Sequence, residues 1–169
     1  MKKNIVLKIL MSLIVSATAA QAGKPPSLAG KYSSDTQIVL AYANDRISCN
    51  ENDGDWDAEL EVCFVTATNS VVVEMSDNGY SLAVSTVGNN LHTCDFEDIA
   101  DRNKKGNVLT AKTLTEEFSS KKNAVVNVTC KVSATFTGDE VSVKTNGRCQ
   151  SFCGMSARLE VEGLKKVQE

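Results

Sequence analysis

Residues 124–145, AVVNVTCKVSATFTGDEVSVKT, decide the fold. Two runs rich in β-branched residues, Ala124 to Phe136 and Glu140 to Thr145, flank Thr137-Gly138-Asp139, a turn signal. That arrangement predicts a β-hairpin, because β-branched side chains suit a pleated surface and glycine supplies the backbone freedom of a tight turn. The same grammar extends outward in both directions. Thr36 to Ala43, Glu59 to Thr68, Ser70 to Met75, Tyr80 to Val87, Leu91 to Glu97, Asn107 to Thr113 and Ala157 to Glu162 read as further strands. Asp77-Asn78-Gly79, Gly88-Asn89-Asn90, Lys105-Gly106-Asn107 and Asn146-Gly147 punctuate them. Glu59 and Glu61 alternate with Leu60 and Val62, giving one wet and one dry face. Strands spaced by about ten residues predict an all-β domain, a single antiparallel meander closed as a small barrel or sandwich. Only Thr115 to Lys122, TEEFSSKK, offers a short helix.

The N-terminus indicates export. Lys2 and Lys3 precede a short apolar run, Ile5 to Val15, and small residues at Ala20 and Ala22 mark a cleavage site. Residues 1–22 read as a signal peptide, leaving a single β domain over 23–169. The apolar run is shorter than the roughly 20 residues a spanning helix needs, so no membrane span is expected. The leader holds three of the eighteen basic residues and no acid, so the mature chain carries fifteen bases against twenty-one acids. An acidic surface repels nucleic acid and steers basic partners toward it. The expected location is periplasmic or secreted.

Six cysteines (Cys49, Cys63, Cys94, Cys130, Cys149 and Cys153) all lie in the mature part. An even number in an oxidising compartment predicts a disulfide framework. A zinc site needs a second cysteine pair or histidines near Cys149 and Cys153, and the chain has one histidine. The spacing is also not that of a C-x-x-C redox motif. Six cysteines allow 15 pairings, which the sequence alone does not choose among; proximity along the predicted strands favours Cys49 with Cys63 across an acidic loop, Cys94 with Cys130 between strands, and Cys149 with Cys153 as a small ring. Strain in that ring would send Cys149 or Cys153 to a neighbouring strand instead.

LAGKY at 28–32, GNNLHTCDFEDIA at 88–100, VTCKVSATFTGDEVSV at 128–143 and CQSFCGMSARLE at 149–160 carry a resemblance. Together they resemble small exported bacterial β proteins with a C-x-x-x-C-G motif, distantly similar to periplasmic lysozyme inhibitors. The resemblance implies a compact β barrel or sandwich that inhibits by inserting a Ser-Gly-type loop and a nearby aromatic residue into an enzyme cleft. The closest match here is Ser76, Asp77, Asn78, Gly79 and Tyr80, which differs by placing Asp77 and Asn78 before the glycine. Without that role, the same five residues are a hairpin turn.

A second candidate surface is ENDGDWDAELE, residues 51–61, where Asp53, Asp55 and Asp57 surround the only tryptophan, Trp56. The three aspartates mimic the first ligands of an EF-hand. Ala58 stands where that loop needs glycine and Phe64 where it needs glutamate, which rules the motif out. An aromatic anchor among carboxylates, stapled at its base, suits a basic protein partner; otherwise the run is a solvated loop. No catalytic motif, metal site or cofactor signature is read, and His92 has no recognisable partners. The reading is therefore a non-enzymatic exported binding protein, an inhibitor or immunity factor for a basic cell-wall hydrolase. The alternative is an envelope-associated β module with no enzyme target.

Overall fold

The computed structural model describes residues 27–168; the signal peptide read over residues 1–22 lies outside the described residues. The chain forms β1 (Gly30–Leu40), α1 (Arg46–Glu51), β2 (Asp55–Asp57), β3 (Val62–Ser76), β4 (Gly79–Val87) and β5 (Thr93–Arg102). It continues through β6 (Val108–Ser119), β7 (Ala124–Thr137), β8 (Glu140–Thr145) and β9 (Val161–Lys166). From β3 to β9 each strand pairs antiparallel with the next, β9 pairs with β1, and β1 pairs with β3. Eight strands therefore close a barrel, with β2 laid as a short extra strand on β3. Closure leaves few unpaired edges, the reason small antiparallel sheets adopt this form.

The two ends of the barrel differ. Connections 77–78, 103–107 and 138–139, with the start of β1 and the end of β9, lie at one end, the mouth. Connections 41–61, 88–92, 120–123 and 146–160 lie at the other, where all three disulfides sit. Tyr32, Val71, Leu82, Leu109, Val132, Val141 and Leu164 fill the barrel interior. The inward face of β1 and β3 then runs on to a second core of Ile38, Leu40, Cys63, Val65 and Ala67. Between the two cores sits buried Asn69, whose side-chain oxygen accepts from the Val87 amide at 2.9 Å.

The hairpin of residues 124–145 forms as predicted, with Thr137 opposite Glu140 and Gly138 at φ +60. Other expectations are corrected. Thr115 to Lys122 is not a helix: β6 continues to Ser119, because Phe118 pairs with Val125 and the alternate face meets the chain over it. Thr115 bonds the Ser151 hydroxyl and Glu117 accepts from Arg148 at 2.9 Å. The strands read at 59–68 and 70–75 are one 15-residue strand, since Asn69 satisfies a neighbour instead of breaking the ladder. The last strand lies at Val161–Lys166; Ala157 and Leu159 are buried, but in a strap.

That strap explains the C-x-x-x-C spacing. Cys49–Cys63 forms as expected, whereas Cys149 joins Cys130 on β7 and Cys153 joins Cys94 on β5. The small ring and the Cys94–Cys130 bridge are thus replaced by two anchors, which fasten residues 146–160 across β7, β6 and β5. Beyond β5 the strap meets β4, where Thr86 donates to the Arg158 carbonyl at 2.6 Å. Gly154 donates its amide to the Thr93 carbonyl at 2.8 Å, and a Cβ there would lie 2.9 Å from His92 Nδ1. The glycine of the motif lets the strap reach the barrel. Gly88 is tighter still: an added Cβ would sit 2.1 Å from the Ser156 carbonyl oxygen and 2.8 Å from Ala157 Cα. Backbone on both sides cannot yield cheaply, so Gly88→Ala is expected to destabilise by about 2–3 kcal/mol in denaturant unfolding.

Candidate functional site

At the stapled end, residues 41–61 form a folded head, with α1 and β2 where the acidic run at 51–61 alone reads as a solvated loop. Asp45 caps α1: its carboxylate accepts from the Ser48 amide at 2.8 Å, and the Ser48 hydroxyl accepts from the Asp45 amide. The Ser48 hydrogen bonds hold the Asp45 carboxyl below its usual pKa of 3.8. Folding thus favours the ionised form, a contribution present above the ordinary aspartate range and lost as pH falls through the lowered folded value. Carboxyl-detected NMR titration of Asp45 should show that lowered midpoint, and Ser48→Ala should raise it.

After α1, Gly54 passes over the Cys49–Cys63 bridge, where a Cβ would lie 2.4 Å from Cys63 Sγ. β2 then pairs Asp55, Trp56 and Asp57 with Phe64, Cys63 and Val62. Trp56 is half-buried and packs on the second core. Asp57 accepts from the amides of Glu59 and Leu60, both at 2.9 Å, and so fixes the turn into β3. Asp53 and Asp55 are exposed. Tyr42, Ile47 and Leu60, in the same segment, are also exposed.

Charge is concentrated here. Residues 41–61 hold seven acids (Asp45, Glu51, Asp53, Asp55, Asp57, Glu59, Glu61) and one base, Arg46. The rest of the chain after residue 22 has fourteen acids and fourteen bases. Over residues 23–169 the entire acidic excess therefore resides in the head. The ion pairs among the described residues, Lys144–Glu162, Arg148–Glu117 and Lys165–Glu140, include none of the head's carboxylates.

The other sequence-predicted surface lies far away. Trp56 pairs with Cys63 at the start of β3, whereas Ser76 ends that strand at the mouth, about 40 Å along it at 3.3 Å per residue. A standard interface of roughly 800 Å² per partner does not span both. Ser76, Asp77 and Asn78 are exposed at the turn, and Gly79 takes φ +134. Tyr80 faces the barrel end: its hydroxyl accepts from Arg102 Nη1 at 3.1 Å, and that guanidinium lies 5.8 Å from its ring centre. The aromatic member of the turn is thereby held by the fold. His92, half-buried against Gly154, has its backbone engaged in the 88–92 turn, and no side-chain hydrogen bond joins it to a hydroxyl or carboxylate among the described residues.

Comparison with protein-family models, curated proteins and solved structures gives no match to this chain. The surfaces themselves therefore carry the functional information. One of them is invisible in the linear sequence: the cavity at the mouth, where Arg102, Lys105 and Lys166 meet Tyr32, Phe136 and Asp139. The one local hint is the basic run Lys104-Lys105 beside Arg102.

Proposed function

We propose that the mature chain acts by binding, as an exported inhibitor or immunity factor for a basic, lysozyme-like cell-wall hydrolase docked on the acidic head. The observation that carries this reading is the confinement of the whole acidic excess to residues 41–61, on a stapled platform without internal ion pairs. Carboxylates outside ion pairs steer a cationic partner at long range, and exposed Tyr42, Ile47 and Leu60, in the same segment as half-buried Trp56, supply apolar contact. Because the platform is already folded, little ordering entropy opposes association. Fully paired cysteines suit the periplasm or culture fluid. On this reading the chain is not an enzyme.

The test is titration of the oxidised mature chain into a basic lysozyme degrading cell-wall substrate. Inhibition is expected at low ionic strength and should weaken progressively as salt screens the carboxylates. Absence of both inhibition and binding at low salt overturns the proposal and leaves the head as a solubilising surface of an envelope-associated β module. Trp56→Ala is a poor probe of contact alone, because truncation also strips the second core, at about 2–3 kcal/mol.

A further inference from the structure

The mouth of the barrel carries a different chemistry. Its cavity, about 360 Å³, is lined by three cations, Arg102, Lys105 and Lys166, and by one carboxylate, Asp139. Its wall is apolar where Leu28, Tyr32 and Phe136, all buried, close the barrel, with the two rings edge to face at 5.5 Å. Arg102 is held in place: Nε donates to the Gly106 carbonyl at 2.8 Å and Nη1 to the Tyr80 hydroxyl at 3.1 Å. Lys166 Nζ sits 3.3 Å from the Ser27 carbonyl and 5.6 Å from the Tyr32 ring centre. None of the three cations forms an ion pair among the described residues. The Tyr32 hydroxyl donates to the Leu28 carbonyl at 3.0 Å, so the phenol supplies wall and no negative charge.

A part-buried guanidinium fixed by neutral acceptors keeps donors for a planar anion, and two lysines beside it raise the local potential. We propose that the mouth binds a small organic carboxylate, its head on Arg102 and Lys166 and its apolar portion against Leu28 and Phe136. A volume at the low end of ligand pockets limits the occupant to a short-chain acid. The site is independent of the acidic head, which lies at the opposite end of the barrel.

The test uses the oxidised mature chain, labelled with ¹⁵N and titrated separately with hexanoate, hexanamide and inorganic phosphate. Hexanoate should shift the amides of Phe136, Gly138 and Lys166 saturably, with hexanamide and phosphate each at least tenfold weaker. Lys166→Met and Arg102→Met should each weaken hexanoate binding at least fivefold, with spectral dispersion showing that each variant remains folded. Lys166→Met leaves the Arg102–Tyr80 contact intact, so it reports on binding even if Arg102→Met unfolds. No saturable shift, equal binding of acid and amide, phosphate binding as tight as hexanoate, or undiminished binding by folded Lys166→Met would each overturn the proposal.

Discussion

Replacing Cys94 and Cys153 together by alanine is expected to lower the unfolding free energy of the oxidised chain by about 4 kcal/mol. This bridge closes the longest loop of the three, with a sequence separation of 59. In the chain-entropy model such a loop contributes about 4 kcal/mol, against about 3 kcal/mol for the separations of 14 and 19. The bridge also fastens the far half of the strap, whose Ala157 and Leu159 are buried in the barrel core. Freeing that half exposes the stapled end of the core to water, so the loss should exceed that from the paired replacement of Cys49 and Cys63, which serves only the head. Guanidinium unfolding of the variants side by side measures both effects. A loss below about 1 kcal/mol would mean that the strap is held by its packing alone.

Neutralising the head by Asp53→Asn, Asp55→Asn, Glu59→Gln and Glu61→Gln should weaken binding to a basic hydrolase by about 100-fold at low salt. Four steering and contact charges, each contributing about 0.5–1 kcal/mol, account for that factor. Asp45 and Asp57 are left unchanged because they cap α1 and the turn into β3. Stability should stay constant or rise slightly, since crowded like charges repel one another in the folded head. A second variant, Asp95→Asn with Glu97→Gln on the exposed wall of β5, should bind as the unmodified chain does. About tenfold weakening by this two-charge variant, half the free-energy loss for half the charges, would assign the effect to overall charge and not to the head.

What the sequence discloses follows from how local each signal is. The hairpin at 124–145 is legible because its strand preference and its glycine turn are contiguous. The single strand Val62–Ser76 is not, because Asn69 looks like a break until Val87 arrives from β4 to donate to it. α1 is shorter than two helical turns and is announced only by the Asp45–Ser48 capping box, too brief for periodicity to register. Disulfide partners depend on which strands lie under the strap, so the C-x-x-x-C spacing reads as a ring until β5 and β7 are placed. The acidic head was legible as composition, although its rigidity was not. The mouth cavity was hidden altogether, since Tyr32, Arg102, Asp139 and Lys166 come together only when β9 closes on β1.

The proposed hydrolase would dock on the stapled, acidic end of the barrel. Amide hydrogen exchange of the oxidised chain over residues 23–169, free and saturated with a basic lysozyme at low salt, is the deciding measurement. Added protection is expected within residues 41–61 and none at the 76–80 turn or the 103–107 loop. Protection centred on Ser76 to Tyr80 with the head unchanged would contradict that docking.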